Sequence, residues 1–176
     1  MNLLLLQDSP QVTVYYDAKN DWLFNDWHGK LSLADVQTGC LTIAKCFLAR
    51  TYPRILNSNV DVTGMSPSAP AWLAREYLPN LGLAGIEYLA WVSAPSVLLQ
   101  HLTDESVRQL RTPLVATFDD LAGAFAWLQR AHPTHPGDLL PYRSPEQQAK
   151  LARRVAQLAE QLRHFDQVAG RPVRLA

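Results

Sequence analysis

The stretch that most constrains the fold is residues 55–92: the run ILNSNVDVTG, an amphipathic segment through AWLAREYLPNLGLAG, and the run IEYLAWV. Two β-type runs flanking a helical one predict strand, crossover helix and strand, because parallel neighbours need a connection of a dozen or more residues. Such a crossover is nearly always right-handed, so this unit fixes the middle of an α/β sheet. IEYLAWV is almost continuously apolar, as a strand covered on both faces is. Pro79 cannot sit in a long helix interior, so the crossover helix is expected to bend or stop there.

Before this unit, Val12, Val14 and Tyr16 alternate with polar or amphipathic residues, and the turn-like Ala18-Lys19-Asn20-Asp21 leads into DWLFNDW. This pattern predicts an antiparallel hairpin. Trp22 and Phe24 hold one parity of its second strand and Leu23 and Trp27 the other, which leaves the buried face open. Gly29 then breaks the pattern. Ser32, with Asp35 three residues on, has the form of a capping box. It opens a helix whose apolar stripe is Leu33, Val36, Cys40, Ile43, Ala44 and Phe47. Gly39 inside that helix costs about 1 kcal/mol relative to alanine.

Beyond the unit, VLLQHL reads as a turn or two of helix and residues 103–112 as a polar, exposed stretch. PLVATF is the last strand, and Thr117 with Asp120 resembles a cap before the helix LAGAFAWLQR. Residues 131–145 are a Pro-rich linker. A final helix runs to about Ala169, with Leu151, Val155, Leu158, Leu162 and Phe165 spaced as a heptad seam. That seam suits either a homodimer or a strap laid on its own domain. The expected division is a domain over 1–130, a linker over 131–145, and a helix and tail over 146–176.

Sixteen basic residues balance sixteen acidic ones. Zero net charge removes the pull on which nonspecific nucleic-acid binding depends, so no nucleic-acid partner is expected. Cys40 and Cys46 fall on different faces of one helix, which suits two buried, reduced thiols in a cytoplasmic protein. MNLLLLQDSP has no basic flank and a polar break at Gln7, too short for a signal core or a span, so no membrane insertion is expected. His132 and His135 have no acidic or thiol ligand at useful spacing, so neither a metal nor a cofactor is expected. The sequence holds no Walker loop, GxGxxG, HExxH, GxSxG or CxxC, which argues against an enzyme.

The polar group to watch is Asn57, Asn59, Asp61 and Thr63 at a strand end, because ligands of open α/β sheets settle beyond the carboxyl ends of strands. The same side chains could instead cap the next helix or tie down its loop. Met65 and Trp72 flank that group as partner- or ligand-binding candidates. Ser66 and Ser68 are candidate phosphorylation sites at a helix start, or plain structural caps. Five tryptophans, Trp22, Trp27, Trp72, Trp91 and Trp127, could line an apolar ligand cavity or simply fill the core.

The order of elements combines with Trp27-His28-Gly29, Leu56-Asn57, Asp61-Val62-Thr63-Gly64, Trp72 and Leu78-Pro79 before Gly85. Leu89-Ala90-Trp91-Val92 and Thr117-Phe118-Asp119-Asp120 before Ala126-Trp127-Leu128 complete the pattern. Over about residues 11–130 this resembles the STAS/SEC14-type, SpoIIAA-like proteins of bacteria. The resemblance implies a mixed central sheet of about five strands with helices packed against it, plus a C-terminal helical extension. It implies a non-catalytic regulatory or protein-interaction module that presents the 61–78 loop and helix to a protein partner. The alternative is a small apolar or lipid-like ligand-binding protein, as on the SEC14 side. STAS regulators carry an Asp-Ser-Ser-Gly-like phosphorylation motif where this chain has Thr63-Gly64-Met65-Ser66-Pro67-Ser68, so a partner-switching kinase cycle is not implied.

Overall fold

The computed structural model describes residues 1–93, 113–133 and 143–169, the last span with side chains through His164. VLLQHL, residues 103–112, most of the linker with His135, the Phe165 side chain and the terminal tail lie outside the described residues.

Six strands form one sheet in chain order. They are β1 (Leu3–Asp8), β2 (Val12–Asp17), β3 (Trp22–Leu31), β4 (Arg54–Met65), β5 (Tyr88–Val92) and β6 (Leu114–Phe118). β1, β2 and β3 pair antiparallel, and β3 to β6 pair parallel. The 55–92 unit therefore folds as its pattern predicts, with Ile55 opposite Leu89 and Asn57 opposite Trp91. The sheet has six strands rather than about five. Leu3 to Leu6 are apolar in succession, so the period-2 signal of a half-buried strand is missing there, yet the segment pairs with β2.

Helix α1 (Leu33–Ala49) opens on the predicted box: the Asp35 N–H donates to Ser32 Oγ at 3.2 Å and the Ser32 N–H to Asp35 Oδ2 at 2.9 Å. The crossover begins as α2 (Ala69–Trp72), widens to a π turn over Leu73–Tyr77 and tightens to a 3-10 turn over Leu78–Asn80 around Pro79. The expected bend is thus spread over three helical forms. Helix α3 (Leu121–Arg130) is capped by Asp120, whose Oδ1 accepts the Gly123 N–H at 2.7 Å, while Thr117 belongs to β6.

Two cores share the sheet. Leu23, Trp27, Ile55 and Leu89 face α1 and the crossover, whereas Trp22, Phe24, Leu56 and Val92 face α3. This answers the parity question in β3: both faces are covered, so both parities are buried. Helix α4 (Pro145–Ala169) lies in cis on α1, with Leu151 and Val155 buried in the first core. These two heptad positions are therefore occupied within the chain, Leu158 and Leu162 are half-buried, and the seam is not free along its length. The arrangement has a local cause. Arg143 Nη2 donates to Phe47 O at 2.5 Å and Gln148 Nε2 to Leu48 O at 3.2 Å, satisfying carbonyls that the last turn of α1 leaves open.

Candidate functional site

The register places Asn25, Asn57 and Trp91 side by side across β3, β4 and β5, on the face beneath α1 and the crossover. All three are buried, at 2%, 5% and 6% exposure, as is Asn59. Trp27 Nε1, which can only donate, reaches Asn57 Oδ1 at 2.9 Å and so fixes that amide with Nδ2 free. Asn59 Nδ2 donates to Val92 O at 3.1 Å and ties the end of β5 to the middle of β4. Asn25 Oδ1, Asn57 Nδ2 and Trp91 Nε1 have no hydrogen-bond partner among the described residues. Each such group costs about 1–3 kcal/mol when left unpaired.

These residues line a cavity of about 30 Å³ that Met65, Tyr77 and Leu81 also border. No charged side chain lines it. Burial pushes the Cys40 thiol and the Tyr77 hydroxyl well up, so both stay neutral. Cys40 and Cys46 are free and buried.

Tyr77 and Leu81 are shared with a second, larger space. A cleft of about 490 Å³ opens between α4, α1 and the crossover. Phe47, Leu81, Ala84, Leu151, Val155 and Leu158 give it apolar walls, and Glu76, Arg154, Glu160 and His164 stand among its polar residues. Apolar walls with a few polar groups, at a volume in the 300–1,000 Å³ range, are what small-molecule sites show.

The structure brings Asn57, Asn59 and Met65 to the inner cavity but not Asp61 or Thr63, which are exposed. β4 runs to Met65, so these two residues are strand and not loop, and extra residues inserted between Ser58 and Asp61 and between Val62 and Gly64 turn the chain. Each bulge shifts the parity of the residues after it, so Val62 faces the core and Asp61 and Thr63 face out. Trp72 is half-buried and stacked on Tyr77, with ring centroids 6.3 Å apart. No exposed large apolar side chain marks the 61–78 surface. Ser66 Oγ and Ser68 Oγ lie 2.9 Å apart in the turn before α2, and Ser68 makes no side-chain cap bond. Trp27 and Trp91, two of the five tryptophans weighed for a cavity or the core, line the inner cavity, whereas Asn25 has no signal in the sequence: strand register reveals that Asn25 and Trp91 flank Asn57.

On the opposite face, Asp26 bonds Ser58 near His28 and Asp61. Burial pushes its carboxyl up, aided by Asp61 and opposed by the Ser58 hydrogen bond and His28. Among the described residues, no group of three or more His, Cys, Asp or Glu side chains is arranged to hold a metal ion. No described helix is long and apolar enough to cross a membrane.

No protein-family profile matches this chain, and no curated protein matches it. Among solved structures, it is similar to an uncharacterised protein from the DUF3478 family with a SpoIIAA-like fold, from Shewanella loihica PV-4. The match has 17% sequence identity and a TM-score of 0.49, and covers 71% of this chain and 99% of the other.

Proposed function

We propose that this chain is a non-catalytic binding module of the STAS-like type that holds a small, largely apolar molecule in the cleft between α4, α1 and the crossover. The observation that carries this reading is the volume of about 490 Å³ walled by Phe47, Leu81, Ala84 and Leu158. The non-catalytic part is supported by the inner cavity, which no charged side chain lines and where burial holds the thiol and the phenol neutral. General acid–base chemistry needs a group poised near the working pH, and none stands there.

The test is saturable uptake of an apolar fluorophore such as N-phenyl-1-naphthylamine, with native mass spectrometry of freshly purified protein beside it. Leu158 is half-buried on α4, so Leu158→Trp should fill the cleft, abolish uptake and leave the thermal transition in place. Equal uptake by wild type and Leu158→Trp defeats the reading.

A second reading, association with a protein, is favoured by a separate observation. The exposed leucines Leu3, Leu4 and Leu5 lie on β1, an outer strand of the sheet. The occupant that fits them is a second copy of this chain, and the mass of the particle in solution decides it.

A further inference from the structure

We infer that the Asn25–Asn57–Trp91 row is a recognition subsite for a neutral head group that both donates and accepts hydrogen bonds, with a primary carboxamide as the best match. The inference rests on the ligand reading of the cleft and adds the chemistry of the ligand's polar end. Three buried polar atoms without partners border the inner cavity: an acceptor, Asn25 Oδ1, and two donors, Asn57 Nδ2 and Trp91 Nε1. A carboxamide carbonyl has two lone pairs for the two donors, and its N–H serves the acceptor.

Charge is excluded by the surroundings. An ion in an uncharged, buried cavity has no counter-charge to offset its desolvation, so carboxylate and ammonium heads are rejected. Register sets the geometry, since Asn25 and Trp91 stand on the strands either side of Asn57, each about 4.8 Å away in the pairing direction. The route is short. Tyr77 and Leu81 border both spaces, so a chain lying in the cleft meets the row once these two side chains turn aside. Tyr77 ends the π turn, a departure from regular helix that recurs at functional sites.

The experiment is displacement of bound N-phenyl-1-naphthylamine by decanamide, decane, decanoate at pH 8 and decyltrimethylammonium. It is run on wild type, Asn25→Leu and Trp91→Phe. The amide is expected to displace the probe from wild type at a concentration at least tenfold below the other three. Either variant should take up the probe as wild type does and cut that preference to threefold or less. Having two variants guards against one failing to fold, and both remove a polar atom that no protein group uses. If all four compounds displace alike from wild type, the row holds nothing more than water and the inference fails while the cleft reading stands. Preference that persists in both variants also overturns it. If wild type takes up no probe, the cleft reading falls and the head-group subsite falls with it.

Discussion

Gly39 sits where α1 crosses Trp27. A Cβ built there would collide with the Trp27 ring and come within 3.2 Å of Val12 Cγ1. Helix propensity alone predicts that Gly39→Ala stabilises by about 1 kcal/mol. The Trp27 ring cannot yield freely, because its Nε1 is tied to Asn57 and its body is core. Overpacking of this kind costs about 1–3 kcal/mol, so Gly39→Ala should lower stability on balance, read as a lower urea midpoint. An unchanged or raised midpoint would show that the ring moves away at little cost. Asp17 makes the second residue-scale case. Burial works to raise its pKa, yet N–H groups of Asn2 at 3.0 Å and Lys19 at 3.1 Å, with Asn20 Nδ2 at 2.7 Å, leave it below the usual carboxylate value. A group depressed on folding contributes stability above its unfolded pKa of about 3.9 and loses it as pH falls through the folded value. Asp17→Asn should therefore be less stable than wild type at pH 7, with the gap closing as pH falls below about 3.9 and through the folded value. A gap that holds constant with pH would mean that the carboxylate charge plays no part.

At the scale of elements, α4 is held to α1 by side chains from its own approach as well as by its apolar face. Arg143 is buried and gives three hydrogen bonds: Nη2 to Phe47 O, and Nε and Nη2 to Thr51 Oγ1 at 3.2 and 3.1 Å. A cation at the C-terminal end of α1 also meets the negative end of its dipole. Hydrogen bonds from a charged group contribute about 1.5–3 kcal/mol each, so Arg143→Ala should release α4 before the sheet unfolds. Hydrogen exchange of α4 amides should rise with that change while β4 amides stay protected; a uniform rise across the chain would make Arg143 part of the global fold instead. Legibility in the sequence divides along the same lines. The β4–crossover–β5 unit was readable because its runs carry pattern and length, and Asn57 and Asn59 stood out as polar residues in a strand. That Asp61 and Thr63 face away from the inner cavity is not legible, because a bulge adds a residue without changing composition. Arg143 was hidden in a Pro-rich segment, and Asn25 and Trp91 acquire their meaning from strand pairing, which a linear pattern does not encode.

At the scale of the whole molecule, the sheet ends at β1 with Leu3, Leu4 and Leu5 at 38%, 51% and 58% exposure. No proline or charge, two of the devices that blunt an edge against pairing with another chain, interrupts Leu3 to Leu5, and the register shift of β1 falls after them, between Leu5 and Gln7. Antiparallel alternation fixes what the edge offers. The Ala18 N–H donates to Asn2 O at 2.9 Å, so Leu4, opposite Tyr16, turns its backbone groups to β2, and Leu3 and Leu5 turn theirs outward. A second copy running antiparallel about a twofold axis at Leu4 sets Leu3 against its partner's Leu5 and the reverse. That register pairs every outward group of the two residues and makes one surface self-complementary, as a twofold interface must be. This 176-residue chain should then run as a dimer by light scattering, at twice the 19.7 kDa chain mass. Leu4→Lys, which sets two ammonium groups together at the axis, should give monomer, and Leu162→Lys on α4 should leave the dimer intact. Monomeric wild type sinks the twofold β1 pairing, and a dimer broken by Leu162→Lys but not by Leu4→Lys moves the contact to the helical seam.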